Sequence, residues 1–362
     1  MQSNDSARRE TPLNFRQGEA PRVLFLLFKS IGDAILATPC FETVKRNNPA
    51  ARVEVLANKM ICPVLAGNPD IDRLIPFKRT LTGKLRTAAI LANSGRGKTG
   101  YSLVIDMHGG STAALLSRVT RCARRAGYEN YRFNRIYTHR CPQPIRQPGQ
   151  STMHTAEYRL FMLDWLGFKV PAGINPKIYA SSQGREEARR LLAYRGDSRY
   201  RYAVIHPGAA LQSKRWPPDH FKAVAGHLWD SHKLRTVAVG GSFEADLVKV
   251  LAGESSDFIL PLSDPPLETL IGIIAGAQFF LGNDSGPGHI AAALSVPSVV
   301  IFTSSNQTAW RPLSEQSMVV SAGVPCSPCP GYTCHETNKL RCVSEVAVSQ
   351  VIEAVERVLS GG

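Results

Sequence analysis

The strongest constraint on the fold of this chain is a repeated alternation of short apolar runs with helical patterns. Alternation of this kind predicts strand–helix units and parallel sheets. It occurs on both sides of a Pro- and Gly-rich stretch at 170–176. We therefore expect an α/β protein with two doubly wound, Rossmann-like domains that face a cleft. The expected strands are 23–28, 52–56, 102–106, 202–206, 234–239, 258–260, 279–281 and 299–302.

The length of 362 residues is sufficient for two domains of ordinary size. No apolar run is long enough to cross a membrane, and the polar N-terminus lacks the apolar segment of a secretory signal. These features favour a cytoplasmic protein. The expected divisions are a disordered leader over 1–20, a first domain over 21–175, a second domain over 176–343 and a closing helix over 344–362.

The formal net charge of +14 predicts a polyanionic partner. Arginines are concentrated between 118 and 146, and Tyr128, Tyr131, Phe133 and Tyr137 are interleaved with them. Arginine with aromatic rings can bind single-stranded nucleic acid, and the guanidinium fork also matches the phosphates of a lipid or sugar. A solvated basic face is the third interpretation, and the segment alone leaves all three open.

The loop after the first strand carries a candidate acid, Asp33, in the sequence Lys-Ser-Ile-Gly-Asp. Gly32 allows a ligand to approach the backbone closely, and Ser30 lies in the same loop. Asp33 at a helix start is equally consistent with an ordinary helix cap. Because the carboxyl end of a first strand faces the expected cleft, we also treat Asp33 as a candidate functional residue.

Two loops of the second half carry further candidates. Lys214 follows a strand end and precedes Pro217 and Pro218, which open a helix, so its ammonium could serve a phosphate. Glu244 follows Gly240 and Gly241 and could accept hydrogen bonds from ribose hydroxyls. Taken singly, each is explained as well by a solvated loop or by a glutamate in the first turn of a helix.

The stretch GNDSGPGHIAAAL, residues 282–294, places polar groups between an apolar strand and a helix. The amides of Ser285 and Gly286, at a helix N-terminus, suit a diphosphate. Asp284 suits sugar hydroxyls, and His289 as an imidazolium suits a departing phosphate charge. A cap and a core histidine would explain either residue alone, but the set predicts a diphosphate and sugar site.

Four of the eight cysteines form the pattern C-x2-C-x4-C-x7-C. Thiolate tetrads bind zinc or iron in a tetrahedral arrangement, and four protein ligands would make such a site structural. Reduced thiols beside a Pro-rich loop are the other interpretation, because only the first pair has the usual zinc spacing. His335 could replace one ligand. The four residues are Cys326, Cys329, Cys334 and Cys342.

Four motifs in this order resemble those of glycosyltransferase family 9, the heptosyltransferases. They are KSIGDAILATP, HPGAALQSKRWP, GGSFEAD and NDSGPGHIAAAL, and the resemblance covers nearly all of residues 21–360. It implies a GT-B fold and inverting transfer of a heptose or related sugar from an ADP-activated donor to a hydroxyl of an anionic glycolipid, such as the lipopolysaccharide inner core. It implies no cofactor for the transfer, and a cytoplasmic enzyme that is peripheral on the inner membrane.

The resemblance also implies roles for individual residues. Asp33 matches the general base of the family, with Ser30 and Gly32 in the loop near the phosphates. The basic segment lies in the acceptor domain, where Arg118, Arg132 and Arg135 are the acceptor-binding candidates. The donor-binding residues that it implies are Lys214, Glu244, Asp284, Ser285, Gly286 and His289.

Other functions stay open beside this one. Within the fold, the sugar could go to a protein or to another glycan from a different nucleotide sugar, and an epimerase or hydrolase could use the same architecture. A non-catalytic nucleotide- or RNA-binding module belongs to another class. Asp33 and Asp284 argue against it, because a pure anion binder would not place carboxylates beside its ligand. No nucleic-acid partner is therefore expected.

Overall fold

The computed structural model describes residues 20–94, 100–144, 153–194, 201–253, 257–329, 334 and 340–361. The chain divides into two compact units. The first comprises the chain up to Gln150 together with Thr155–Ile174, and the second comprises Ser151–His154 and Asn175–Gly362. Apart from Ala20, the predicted leader lies outside the described residues, as does Arg146 of the basic segment.

The first unit is built on a six-stranded sheet whose strand pairs are all parallel, in the order β3-β2-β1-β4-β5-β6. Its central strands are apolar because both faces are covered: every residue from Val23 to Leu27 is at most 2% exposed. The strands are β1 (Arg22–Leu27), β2 (Arg52–Asn58), β3 (Arg73–Phe77), β4 (Leu103–Asp106), β5 (Arg125–Tyr128) and β6 (His139–Cys141).

Six α-helices are described in this unit. The apolar pattern over 31–45 predicts a single helix, but the structure has two there, since α1 ends before Leu36 and α2 begins at Thr38. Pro39 lies in the first turn of α2, where its missing N–H is tolerated but where it could not continue a preceding helix. The helices are α1 (Ile31–Ile35), α2 (Thr38–Asn47), α3 (Cys62–Leu65), α4 (Leu81–Ser94), α5 (Ser111–Val119) and α6 (Thr155–Trp165).

The second unit repeats this plan with a second parallel sheet, in the order β12-β11-β10-β7-β8-β9. Its strands are β7 (Tyr202–His206), β8 (Arg235–Gly240), β9 (Ile259–Ser263), β10 (Phe279–Asn283), β11 (Ser298–Ile301) and β12 (Ser317–Val320). Its helices are α7 (Ser182–Tyr194), α8 (Pro218–His232), α9 (Ala245–Ala252), α10 (Leu267–Ala275), α11 (Gly286–Ala293), α12 (Gln307–Trp310), α13 (Arg341–Ser344) and α14 (Val348–Ser360).

Both sheets have the strand order of a dinucleotide-binding Rossmann fold. The order reverses beside the first strand of each unit, between β1 and β4 and between β7 and β10. The prediction of two doubly wound Rossmann-like units is therefore confirmed. Within the described ranges, no helix has both the length and the apolar character needed to span a bilayer.

The strands that the sequence did not predict have weak apolar runs. β3 contains Pro76 at the outer edge of its sheet, and β5 reads Arg-Ala-Gly-Tyr. Proline is tolerated on an edge strand because its missing N–H can face solvent. β6 and β12 are also edge strands, so only one neighbour constrains their sequences.

A buried thiol makes the first unit sensitive to alkaline pH. Cys40 on α2 is fully buried, and burial raises the pKa of its thiol to about 12, although the charge of Arg159 opposes the shift. Above about pH 9 the unfolded chain releases this proton while the folded chain keeps it, so stability falls as pH rises, by up to about 1.4 kcal/mol per pH unit.

We expect Cys40→Ala to lose less stability than the wild type between about pH 8 and about pH 10.5. Urea unfolding at both pH values measures this, and the value at about pH 8 isolates the effect of the smaller side chain. An identical pH slope in the two proteins would contradict the assignment of the loss to Cys40.

Candidate active site

Asp33 is part of a capping box at the start of α1. The Ser30 hydroxyl accepts from the Asp33 amide at 3.2 Å, while Asp33 Oδ2 accepts from the Ser30 amide at 3.3 Å and from its hydroxyl at 2.8 Å. The cap interpretation of Asp33 is correct only in part, because the N-cap residue is Ser30 and Asp33 is the N3 member of the capping box. It does not exclude a further role, because Asp33 is 8% exposed at the carboxyl end of β1 and has a second partner.

That partner is Arg159, on α6, which the sequence analysis did not identify. Its guanidinium donates to Asp33 Oδ1 at 2.6 Å and also to the Asp33 carbonyl oxygen. The two side chains are only 6% and 12% exposed, for Arg159 and Asp33 respectively. An arginine in an otherwise apolar stretch of helix was the available signal, since a buried cation needs an anionic partner. Together Arg159 and Ser30 fix the orientation of the Asp33 carboxylate.

Asp106 organises the loop that follows β4. It is fully buried and accepts from the Tyr137 hydroxyl at 2.5 Å and from the amides of His108 at 2.7 Å and Gly109 at 3.0 Å. Burial raises the pKa of the Asp106 carboxyl, against the opposing effect of these donors and of Lys29. The contacts hold the loop beside the start of α5 in one conformation.

A pocket of about 270 Å³ opens beside this loop in the first unit. Arg79 and Lys84 supply positive charge to its wall, and Arg79 is held by a hydrogen bond of 3.1 Å to the Phe28 carbonyl. Burial lowers the pKa of His108, and the charges of Lys29 and Arg79 lower it further, so the imidazole is neutral near pH 7. The pocket therefore suits an anionic group, and it was not predicted.

The basic segment separates into exposed and structural residues. Arg118, Arg132 and Arg135 are exposed, whereas Arg125 donates to the carbonyls of Cys122 and Ile136. Tyr128 and Tyr137 are at most 2% exposed, so they cannot stack on bases. The nucleic-acid interpretation of these two tyrosines is wrong, because they are core residues that bond backbone and carboxylate oxygens.

In the second unit, the predicted phosphate and sugar ligands contact each other. Lys214 Nζ lies 2.7 Å from Asp284 Oδ2, and the Ser305 hydroxyl donates to the same oxygen at 2.5 Å. Asp284 is 8% exposed. Ser305 was not predicted, because it lies in the loop after β11, which carries no motif of the kind found after β10. The pair places one cation and one anion at the carboxyl end of β10.

A hydrogen-bonded chain joins Glu244 to Ser285 through an imidazole. His206 Nε2 lies 3.1 Å from Glu244 Oε2, and His206 Nδ1 lies 3.2 Å from the Ser285 hydroxyl. Burial acts to raise the pKa of Glu244, but the His206 hydrogen bond and charge and the Gly241 amide outweigh it, so the pKa lies below its usual value. Glu244 is therefore an anion at neutral pH. His206 was not predicted as a site residue.

Gly208 allows the Glu244 carboxylate to take this position. A Cβ atom at Gly208 would lie 2.0 Å from Glu244 Oε1, which is far inside van der Waals contact. The Pro207–Gly208 pair is therefore more than a turn, since any larger residue would displace Glu244 from His206.

The loop before α11 is anchored by Asn283. Its side chain is fully buried, accepts from the Trp216 amide at 3.0 Å and donates to the Pro207 carbonyl at 2.8 Å. Ser285 is the N-cap residue of α11, yet its hydroxyl donates to the Asn283 carbonyl and accepts no hydrogen bond from a first-turn amide of the helix. The first-turn amides, including that of Gly286, are left without this cap, which is the arrangement that binds an anion. His289 is 5% exposed within the same helix.

The four cysteines of the 326–342 pattern all lie among the described residues of the second unit, as free thiols. Burial raises the pKa of Cys342, and the neighbouring Cys329, Cys326 and Cys334 raise it further. The pKa of Cys329 is raised in the same way by burial, Cys334 and Cys326. Four thiols are a ligand set that suits zinc or iron, but among the described residues no three of these sulfur atoms lie within 4.8 Å of one another.

Two Rossmann-like units with acids and cations at the carboxyl ends of their strands are the architecture of GT-B enzymes, which includes glycosyltransferases. The sequence profile described as "Glycosyltransferase family 9 (heptosyltransferase)" matches residues 96–340. The chain belongs to this family, as the four motifs predicted.

Individual relatives extend the similarity beyond the profile. Lipopolysaccharide heptosyltransferase 3 of Escherichia coli K12 is 28% identical over 345 residues, which span 91% of this chain and 95% of the relative. The structure "E. coli heptosyltransferase WaaC with ADP-2-deoxy-2-fluoro heptose" has a TM-score of 0.67 at 21% identity, covering 93% of this chain and 99% of that one. The dodecameric iron-containing heptosyltransferase TibC, in complex with ADP-D-beta-D-heptose, has a TM-score of 0.57 at 15% identity, with coverages of 96% and 81%.

The Asp33–Arg159 pair should be important for the stability of the first unit. Arg159→Gln leaves a buried carboxylate without its cation, and we expect a loss of about 3–5 kcal/mol in the free energy of unfolding. The matched control is Arg46→Gln, whose pair with Glu42 has the same 2.6 Å separation but an arginine that is 58% exposed. We expect that control to change stability by about 0.5 kcal/mol or less. Urea unfolding measures both, and equal small losses would contradict a structural role for Arg159.

Proposed function

We propose that this protein transfers a heptose from an ADP-activated donor to a hydroxyl of an anionic glycolipid of the lipopolysaccharide inner-core type, with inversion at the anomeric carbon. The observation that carries the proposal is the gathering of Lys214, Asp284, Ser285 and Glu244 at the carboxyl ends of β7, β8 and β10. In a family 9 chain, these residues would offer partners for the phosphates, the sugar and the ribose of a nucleotide sugar.

The diphosphate is the leaving group in this reaction. As the bond between the anomeric carbon and the diphosphate oxygen breaks, negative charge develops on that oxygen. The first-turn amides of α11 and the Lys214 ammonium would stabilise this charge as fixed groups that need no rearrangement. Asp284, which pairs with Lys214 at 2.7 Å, would accept hydrogen bonds from the sugar hydroxyls. No metal is needed for these steps.

The acceptor hydroxyl must lose a proton as its oxygen forms the new bond to the anomeric carbon. Asp33 is the proposed base: its carboxylate would take that proton while the acceptor oxygen attacks from the face opposite the diphosphate. Ser30 and Arg159 hold the carboxylate in one orientation, which suits a base that must meet one hydroxyl. Arg159 acts through Asp33 and is a positioning residue.

The nucleoside end of the donor would bind beside Glu244. An anionic Glu244 can accept hydrogen bonds from both ribose hydroxyls. The adjacent Phe243 ring is 99% exposed, which is unusual for a phenylalanine and leaves its face free to stack on a base. These two neighbours support a nucleoside subsite at the end of β8.

The acceptor is proposed to be anionic because the first unit presents positive charge in two places. The pocket with Arg79 and Lys84 suits a phosphate or carboxylate, and Arg118, Arg132 and Arg135 are exposed on the same unit. A glycolipid acceptor would lie at the inner membrane surface, where an exposed basic surface also favours attraction to anionic lipid.

The comparisons support the donor and acceptor classes. One relative that matches nearly the whole chain is lipopolysaccharide heptosyltransferase 3 of Escherichia coli, and two of the similar structures are heptosyltransferases in complex with an ADP-linked heptose or its fluoro analogue. We extend this donor and this acceptor class to the present chain as part of the proposal.

We also propose that Cys326, Cys329, Cys334 and Cys342 hold a structural zinc or iron ion. Cys326 and Cys334 contribute to the raised pKa of the Cys329 and Cys342 thiols, and a bound cation would instead stabilise thiolate ligands. A similar structure is titled iron-containing, which supports iron as one candidate. Four protein ligands leave no position for substrate, so the ion would stabilise the segment and take no part in transfer.

The test of the transfer reaction is Asp33→Asn. We expect kcat with ADP-heptose and a heptose-deficient inner-core glycolipid to fall about 10²- to 10⁴-fold, because the amide cannot accept the proton. The Kd for ADP, measured by isothermal titration, should stay within about twofold.

Glu42→Gln, which removes a half-buried carboxylate on α2 that lies outside the proposed site, serves as the control and should retain full activity. Near-normal turnover by Asp33→Asn would refute the role of Asp33. Absence of ADP binding by the wild type would refute the nucleotide-sugar proposal as a whole.

The test of the cysteine site is metal analysis of the purified chain. We expect about one zinc or iron ion per chain in the wild type and almost none in Cys326→Ser/Cys329→Ser, because two of four ligands are lost. Cys62→Ser removes a half-buried thiol outside the pattern and should retain the metal. A metal-free wild type, or the same content in all three proteins, would count against the proposal.

A further inference from the structure

We propose that His227, His232 and Glu356 form a second metal site, for a divalent transition ion of the zinc class, on the second unit. The three residues lie outside the donor site and outside the cysteine pattern. The proposal is independent of the transfer reaction.

The ligand atoms are already gathered. The Nε2 atoms of His227 and His232 each lie 2.7 Å from Glu356 Oε1, and all three atoms lie within 4.8 Å of one another. Zinc binds imidazole nitrogen and carboxylate oxygen at about 2.0–2.2 Å, so ligand atoms in a tetrahedral site are about 3.3 Å apart. Small side-chain rotations would bring the three atoms to that spacing around one ion.

The chemistry of the set selects the ion. Two imidazoles and one carboxylate suit zinc and its neighbours among the transition metals, whereas magnesium and calcium prefer ligand sets made of oxygen atoms. A bound ion would replace the Nε2 protons that the two histidines now share with Glu356 Oε1. Both imidazoles contact the same carboxylate oxygen, Glu356 Oε1. The three ligand atoms therefore already converge on one point, as the ligands of a single metal ion do.

The burial of the residues also fits a metal site. The side chains of His227 and His232 are each 25% exposed, and that of Glu356 is 42% exposed. The packed side of the cluster holds the ligands in place, and the open side leaves room for water in the fourth position.

The site would join elements that are far apart in the chain. His227 and His232 belong to α8, and Glu356 belongs to α14, which packs on α8, β11 and β12. An ion bound there would link the last helix to the body of the second unit. It would stabilise the folded state in proportion to its concentration, because unfolding would separate the ligands.

The experiment is a Zn²⁺ titration of the chelator-treated full chain, followed by calorimetry and by thermal unfolding. The Cys326→Ser/Cys329→Ser background removes binding by the cysteine pattern. In that background we expect one Zn²⁺ per chain and a rise of several degrees in Tm. His227→Gln, His232→Gln and Glu356→Gln should each weaken Zn²⁺ binding by at least about 100-fold, since each removes a direct ligand.

Glu353→Gln is the matched control, because Glu353 lies on the same helix and pairs with Arg357. It should bind Zn²⁺ as its parent does. If the cysteine variant fails to fold, the wild-type chain is titrated with Co²⁺ and followed by absorption spectroscopy. Co²⁺ at the His–Glu site would give bands without the charge-transfer absorption of sulfur ligands. These bands should disappear in Glu356→Gln. Equal Zn²⁺ affinity and equal Tm shifts in all variants would overturn the proposal. The cluster would then be two histidines that share hydrogen bonds with one glutamate.

Discussion

The candidate site residues depend on the point at which the strand order of each sheet reverses. Between β1 and β4, and between β7 and β10, helices leave for opposite faces of the sheet, and the loops at the carboxyl ends separate. Asp106 and His206 are the last residues of β4 and β7, Asp284 directly follows β10, and Asp33 lies in α1, the helix after β1. Acids at these positions can accept hydrogen bonds from loop amides, as Asp106 does from the amides of His108 and Gly109.

Charge pairing prepares these groups for a ligand. Asp33 is held by Arg159, Asp284 by Lys214 and Ser305, and Glu244 by His206. A half-buried carboxylate without such a partner would be strongly destabilising. The pairs therefore allow acids to be placed at sites of low exposure, and they fix the side chains before substrate binds. In the proposed reaction, Lys214 would exchange part of its contact with Asp284 for a phosphate of the donor, so that little new order would be required.

Most of the fold could be predicted from the sequence because fully buried parallel strands have a strong apolar signature. β1 and β10 are continuous apolar runs, and the helices between strands follow from them. β3 could not be predicted because it is an edge strand that contains a proline, and β5 because it has only four residues, among them an arginine and a glycine. The motif residues at strand ends could be predicted because the apolar strands before them could be predicted. Their partners on distant helices and loops could not be predicted. Arg159 lies 126 positions from Asp33, and sequence alone does not give such pairings.

The C-terminal segment shows why a protein of this size would use metal ions. Beyond β12, the described residues form a small apolar cluster of Val324, Cys342 and Val343, with Ala322, Cys326 and Leu340 against it. So few buried side chains supply little hydrophobic free energy against the entropy lost by ordering the chain. Two of the proposed thiolate ligands belong to this cluster, so an ion there would strengthen the part of the unit that has the smallest core. The same reasoning applies to α14, which follows directly and reaches α8 through Glu356. Both proposed ions would therefore stabilise the end of the chain against the second sheet, whose loops bear the donor residues.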